Sequence, residues 1–102
     1  MGSATLQGLV FFRELKRLTL SKTNIGDEGV ASLVAQPTAG KLKALELLEI
    51  DYNQITDAGC ATLASALRGG ALPALKVLEL NGNPEAGQQA RNDVRAALSA
   101  RQ

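Results

Sequence analysis

The sequence predicts an α/β repeat protein, a solenoid of stacked strand–helix units with a short curved parallel sheet on its concave side and α-helices on its convex side. Three observations carry this. The 102-residue chain falls onto itself when shifted by 30 residues. Each unit opens with an apolar period of two and continues with helical spacing. The chain holds 17 Leu and 16 Ala against two Phe, one Tyr and no Trp. Its core is therefore layered leucine with small spacers.

The overlay aligns Leu15, Leu45 and Leu75, then Leu18, Leu48 and Leu78, then Leu20, Ile50 and Leu80. Ahead of them Phe12, Leu42 and Leu72 align. Behind them come Thr23, Asn53 and Asn83, then Ile25 and Ile55, Asp27 and Asp57, Gly29 and Gly59, Leu33 and Leu63. The last residues of each L-x-x-L-x-L core alternate, which gives a short strand with one buried face. Val30, Leu33 and Val34, and one unit later Cys60, Leu63, Ala64 and Leu67, form helical stripes. Asp27 and Asp57 stand just ahead of these stripes, where a carboxylate is expected to cap its own helix. Pro37 and Gly40, then Gly69, Gly70 and Pro73, mark the return loops.

Such a unit cannot bury its apolar faces alone; stacking with neighbours buries both. Helices need more width than strands, so the stack is expected to curve. Where each strand ends, the chain turns inside the stack and its backbone groups leave water. An amide side chain can both donate and accept there. Asn53 and Asn83 occupy that structural turn, with Thr23 as the weaker equivalent.

At these residues the chain resembles the leucine-rich repeat family, L-x-x-L-x-L-x-x-N-x-I. The continuations I-G-D-E-G-V-A-S-L and I-T-D-A-G-C-A-T-L are similar to its ribonuclease-inhibitor-like subfamily, whose repeats carry a full helix on the convex side. The resemblance spans roughly residues 15–85 and implies protein binding, usually across the concave strand face. Thr23 departs from the first Asn, Glu85 stands where Ile25 and Ile55 stand, and Gln89 and Asp93 replace the Gly and Leu of the earlier units. The expected organisation is one domain over 1–102. Repeats cover 15–44 and 45–74, and 75–102 is a terminal repeat whose end, apolar at Val94 and Leu98 and polar at Arg91, Asn92, Asp93, Arg95 and Arg101, forms a cap. Residues 1–14 read either as a lid over the open end or as the tail of a preceding repeat. Their run Leu9-Val10-Phe11-Phe12 also allows self-association through that end.

Alternation assigns a concave face. Arg17 and Thr19 face outward on the first strand, Leu47, Glu49 and Asp51 on the second, and Val77, Glu79 and Asn81 on the third, with Lys22 and Tyr52 at the strand exits. Arg17, Thr19, Lys22, Leu47, Glu49, Asp51, Tyr52, Glu79 and Asn81 are the candidate contacts for a protein partner. Tyr52 leads them, because an exposed Tyr beside charge is typical of interface hot spots; the alternative is that the charges simply solvate the face and Tyr52 covers part of a neighbouring turn.

Other functions find less support. Eleven Lys and Arg against ten Asp and Glu give a net charge of +1, so neither nucleic acid nor an anionic membrane is expected as partner. Histidine is absent and Cys60 is the single cysteine, which removes Ser-His-Asp and Cys-His nucleophile systems, Cys/His zinc sites and internal disulfides. Asp51 to Asp57 matches a calcium loop at its first and third positions but lacks the acidic fifth and the later Gly and Glu. No catalytic residue, metal or cofactor is expected, and the chain reads as a non-enzyme. Without a signal peptide, a spanning segment or a sequon, the expected setting is cytoplasmic. The alternatives are a C-terminal capping fragment of a longer repeat protein, or a regulator of a GTPase or nuclease.

Overall fold

The computed structural model describes residues 15–35 and 42–101. The readings of residues 1–14, including Phe12 and the Leu9–Phe12 run, and of Pro37 and Gly40 lie outside these residues. Among those described, the order is β1 (Arg17–Thr19), α1 (Gly26–Val34), β2 (Leu47–Glu49), α2 (Asp57–Arg68), β3 (Val77–Glu79) and α3 (Gln88–Ser99). The strands form one parallel sheet in the order β1-β2-β3. Their register is Arg17↔Leu47↔Val77, Leu18↔Leu48↔Leu78 and Thr19↔Glu49↔Glu79. Spatial neighbours in the sheet are therefore the same residues that the 30-residue shift aligns. The helices form a second layer, with α2 packed against α1 and α3. This is an α/β repeat fold.

The core lies between the layers. Leu45, Leu48 and Ile50 from the β2 segment and Ile55, Cys60, Leu63 and Leu67 from the following turn and α2 are fully buried. Leu48 is sealed, whereas its partners Leu18 and Leu78 are only half-buried. The difference follows from position: among the described strands, only β2 has a neighbour on both edges. α3 turns Val94, Ala97 and Leu98 inward and leaves Asn92, Asp93 and Arg95 exposed.

The strand exits carry the backbone's unusual conformations. Lys22, Asn24, Tyr52 and Gln54 all have φ near +60°, and Gly82 has φ +73° at the position equivalent to Lys22 and Tyr52. Left-handed residues are uncommon outside glycine, so a recurring pair of them needs support from its surroundings. That support is the asparagine ladder. Asn53 Oδ1 accepts from the Thr23 amide at 2.9 Å and the Ile25 amide at 3.4 Å, while its Nδ2 donates to Leu20 O at 2.8 Å and Asp51 O at 3.1 Å. Asn83 repeats this one unit on. Its Oδ1 accepts from the Asn53 and Ile55 amides at 2.8 and 3.1 Å, and its Nδ2 donates to Ile50 O and Leu80 O at 3.2 and 2.9 Å. Each asparagine thus holds the turn of the unit before its own. Thr23 has a local role: its hydroxyl donates to Leu20 O at 2.5 Å.

Two expectations are corrected. Asp27 and Asp57 do not cap their own helices. Asp27 Oδ1 accepts from the Thr56 amide at 2.8 Å and its Oδ2 from the Thr56 hydroxyl at 2.5 Å, while Asp57 Oδ1 accepts from the Gly87 amide at 2.7 Å. Thr56 and Gly87 are the N-cap residues of the next helices. An aspartate in one helix's first turn therefore secures the entrance of the following helix. Thr56 completes the relay by accepting from the Ala58 amide at 3.2 Å. Gly59 makes room for it, since a Cβ there would collide with Asp27 Oδ1 and Ile55 Cγ2. Arg101, expected to face solvent, turns back instead. Its guanidinium donates to Ala71 O at 2.8 Å and Leu72 O at 2.6 Å, in a return loop where Leu72 has φ +51°. Leu72 O also accepts from the Leu75 amide at 3.0 Å, and the fork-shaped guanidinium suits two adjacent acceptors.

Candidate functional site

The outer face of the sheet is built from rows set by the register. The first row is Arg17–Leu47–Val77, the second Thr19–Glu49–Glu79. Continuing the same offset, the third is Ser21–Asp51–Asn81 and the strand-exit row is Lys22–Tyr52–Gly82. Arg17, Thr19, Lys22 and Asn81 are exposed, and Leu47, Glu49, Asp51 and Glu79 are half-buried. Tyr52 at 57% and Val77 at 41% are the two exposed large apolar side chains among the described residues.

Hydrogen bonds lock the polar part of this face. The Thr19 hydroxyl donates to Glu49 Oε1 at 2.8 Å, and Asn81 Nδ2 donates to Glu79 Oε1 at 3.4 Å. Asp51 Oδ1 accepts from the Asn81 amide at 2.6 Å. Three carboxylates are so oriented by neighbouring groups, and no lysine or arginine shares their two rows. The cations lie elsewhere. At the strand starts Lys16, Glu46 and Lys76 alternate in sign along one row. Lys22 lies at the strand exit, its Nζ 5.6 Å from the centroid of the Tyr52 ring, within cation–π reach.

Tyr52 is less simple than an open contact residue. A Cβ on Gly82 would land in its ring, so the ring lies flat against the backbone of the next turn. The side chain covers a neighbouring turn and still keeps over half its surface exposed. The sequence allows Tyr52 to cover part of a neighbouring turn, and the structure identifies that turn as Gly82's and adds Lys22 over the ring. The signal for that stack was present, because the three residues are spaced by 30 and a lone glycine stands beside an aromatic.

Cys60 lies in the core, away from this face. Burial pushes its thiol above the ordinary range; the Asp57 and Asp27 carboxylates add to the shift and Arg91 opposes it. A buried thiol held neutral is a poor nucleophile. Among the described residues no group of His, Cys, Asp or Glu could hold a metal ion, and no helix is long and apolar enough to cross a membrane.

Residues 13–34 and 42–64 each match the family model for the Leucine Rich repeat. Over these two segments the chain is similar to leucine-rich repeats. The matches fall on the strand–turn–helix segments of β1–α1 and of β2 with most of α2. No curated protein matches the chain. Leucine-rich repeats are generally protein-interaction modules.

Proposed function

We propose that the chain is a non-catalytic interaction module that binds a protein partner through the strand face of a leucine-rich repeat solenoid of the ribonuclease-inhibitor-like kind. The observation that carries this reading is the composition of the outer sheet face. Its polar groups are held in place by Thr19, Asn81 and the sheet register, while Tyr52 and Val77 remain exposed beside them. Interfaces draw affinity from a few exposed aromatic and apolar side chains rimmed by oriented polar groups. The opposite layer offers less: α2 and α3 meet at a groove of about 360 Å³ lined by Asp57, Arg68, Gln89, Asp93 and three alanines. The polar outer residues of α3 support reading 75–102 as a terminal repeat with a capping helix, after repeats at 15–44 and 45–74.

The test is affinity capture from a cell lysate with the full chain and with the double variant Glu49→Ala, Tyr52→Asn. Asn tolerates the left-handed backbone at position 52. Far-UV circular dichroism melts of both proteins show whether the fold is kept. The expected result is a captured protein lost from the folded variant. An unchanged captured set sinks the strand-face reading.

A further inference from the structure

Resting on the strand-face reading, we infer that the face selects a basic segment of a partner protein, with a lysine or arginine seated on Glu49 and Glu79 and an apolar side chain beside it on Leu47 and Val77. The two glutamates are register partners on adjacent strands, which lie about 4.8 Å apart. Each gives one oxygen to an intramolecular donor and keeps the other for a guest. Asp51 adds a third carboxylate in the next row, also with one oxygen engaged. Like charges crowded this way are relieved by an incoming cation.

The neighbouring rows set the rest of the specificity. Leu47 and Val77 are also register partners, two residues before the glutamates, so apolar and acidic rows are separated by about 6.6 Å. An extended segment with an apolar residue at i and a cation at i+2 matches that spacing. Tyr52 closes the acidic rows at the strand exit, with its cation–π face already taken by Lys22.

Charge also eliminates the other occupants. A second copy laid face to face about an axis along the strands sets Glu49 against Glu49. Nucleic acid would bring phosphates onto three carboxylates. A divalent ion fails on geometry, since no metal-capable cluster exists among the described residues.

The experiment titrates the full ¹⁵N-labelled chain with two capped synthetic peptides, S-L-S-R-S-L-S-R-S and its counterpart with glutamate for arginine, following amide chemical shifts. The basic peptide is expected to shift Glu49, Glu79 and Val77, and to bind more weakly as salt is raised. The folded variant Glu49→Gln, Glu79→Gln is expected to lose about tenfold in affinity. Shifts on the same face from both peptides alike overturn the basic preference and leave the strand-face reading standing. Shifts from the basic peptide confined to the helices overturn both. Absence of any shift from the basic peptide, or full affinity in the Gln variant, overturns the inference alone.

Discussion

Replacing Asn83 with Ala should cost more stability than replacing Asn53, and Thr23 should matter least. Asn83→Ala strips the Asn53 amide, the Ile55 amide, the Ile50 carbonyl and the Leu80 carbonyl of their partners, and Asn53, Ile55, Ile50 and Leu80 are all buried. A buried polar group left unpaired costs about 1–3 kcal/mol. Four groups at the low end give a loss of about 4 kcal/mol. Asn53→Ala orphans the Thr23 and Ile25 amides, which are only partly buried. Leu20 O keeps the Thr23 hydroxyl and Asp51 O keeps the Lys22 amide. Two groups at the same rate give about 2 kcal/mol. Thr23→Ala leaves Leu20 O bonded to Asn53 Nδ2, so the loss should stay below about 1 kcal/mol. Urea unfolding followed at 222 nm measures the series, provided the denaturant slope is unchanged. A larger loss at position 53 than at 83, or three equal small losses, would refute the backward-facing ladder.

Gly59→Ala should destabilise by about 1–3 kcal/mol, because the added methyl displaces Asp27 from Thr56. In an Asp27→Ala background the same change should cost measurably less; additive costs would mean that the two residues do not share space. Gly82→Ala should rotate Tyr52 off the turn. The chain has one Tyr and no Trp, so intrinsic fluorescence reports this ring alone and should change, while an unaltered spectrum would contradict the stack. Cys60 should resist alkylation in the native state at pH 8 and react readily in denaturant; equal rates would contradict its burial. Its raised thiol pKa also has a sign. The folded state holds the proton more tightly, so this contribution is complete below the ordinary thiol value of about 8.5 and is lost as pH rises through it towards the folded value.

The strands and helices were readable because stacking brings together residues that the chain already repeats. Leu18, Leu48 and Leu78 align in sequence and pair in space. Asn53 was also readable, since a chain turning inside a core needs an amide. The aspartates were not. Read along the chain, Asp27 has only its own helix to cap, and its true partner Thr56 lies 29 residues on. The left-handed backbone at Lys22 and Tyr52 was hidden for a related reason. Nothing local favours it there, and the asparagine that holds it belongs to another unit. Tyr52 covering a neighbouring turn was one of two readings open to the sequence, and the contact with Gly82, made between rows, decides for it.

The one-way sense of the ladder bears on how such an array can lengthen. Each unit takes support for its turn from the unit after it and lends the same support to the unit before. A duplicate of residues 45–74 placed between existing units would meet compatible partners on both sides: an asparagine facing back, an aspartate reaching forward, strands already in register. Internal insertion therefore disturbs no unit's hydrogen bonding. Losing a neighbour leaves different groups behind on the two sides: without the β1–α1 unit the Asn53 side chain lacks its backbone partners in that unit, and without the unit that holds Asn83 the Asn53 and Ile55 amides lack theirs.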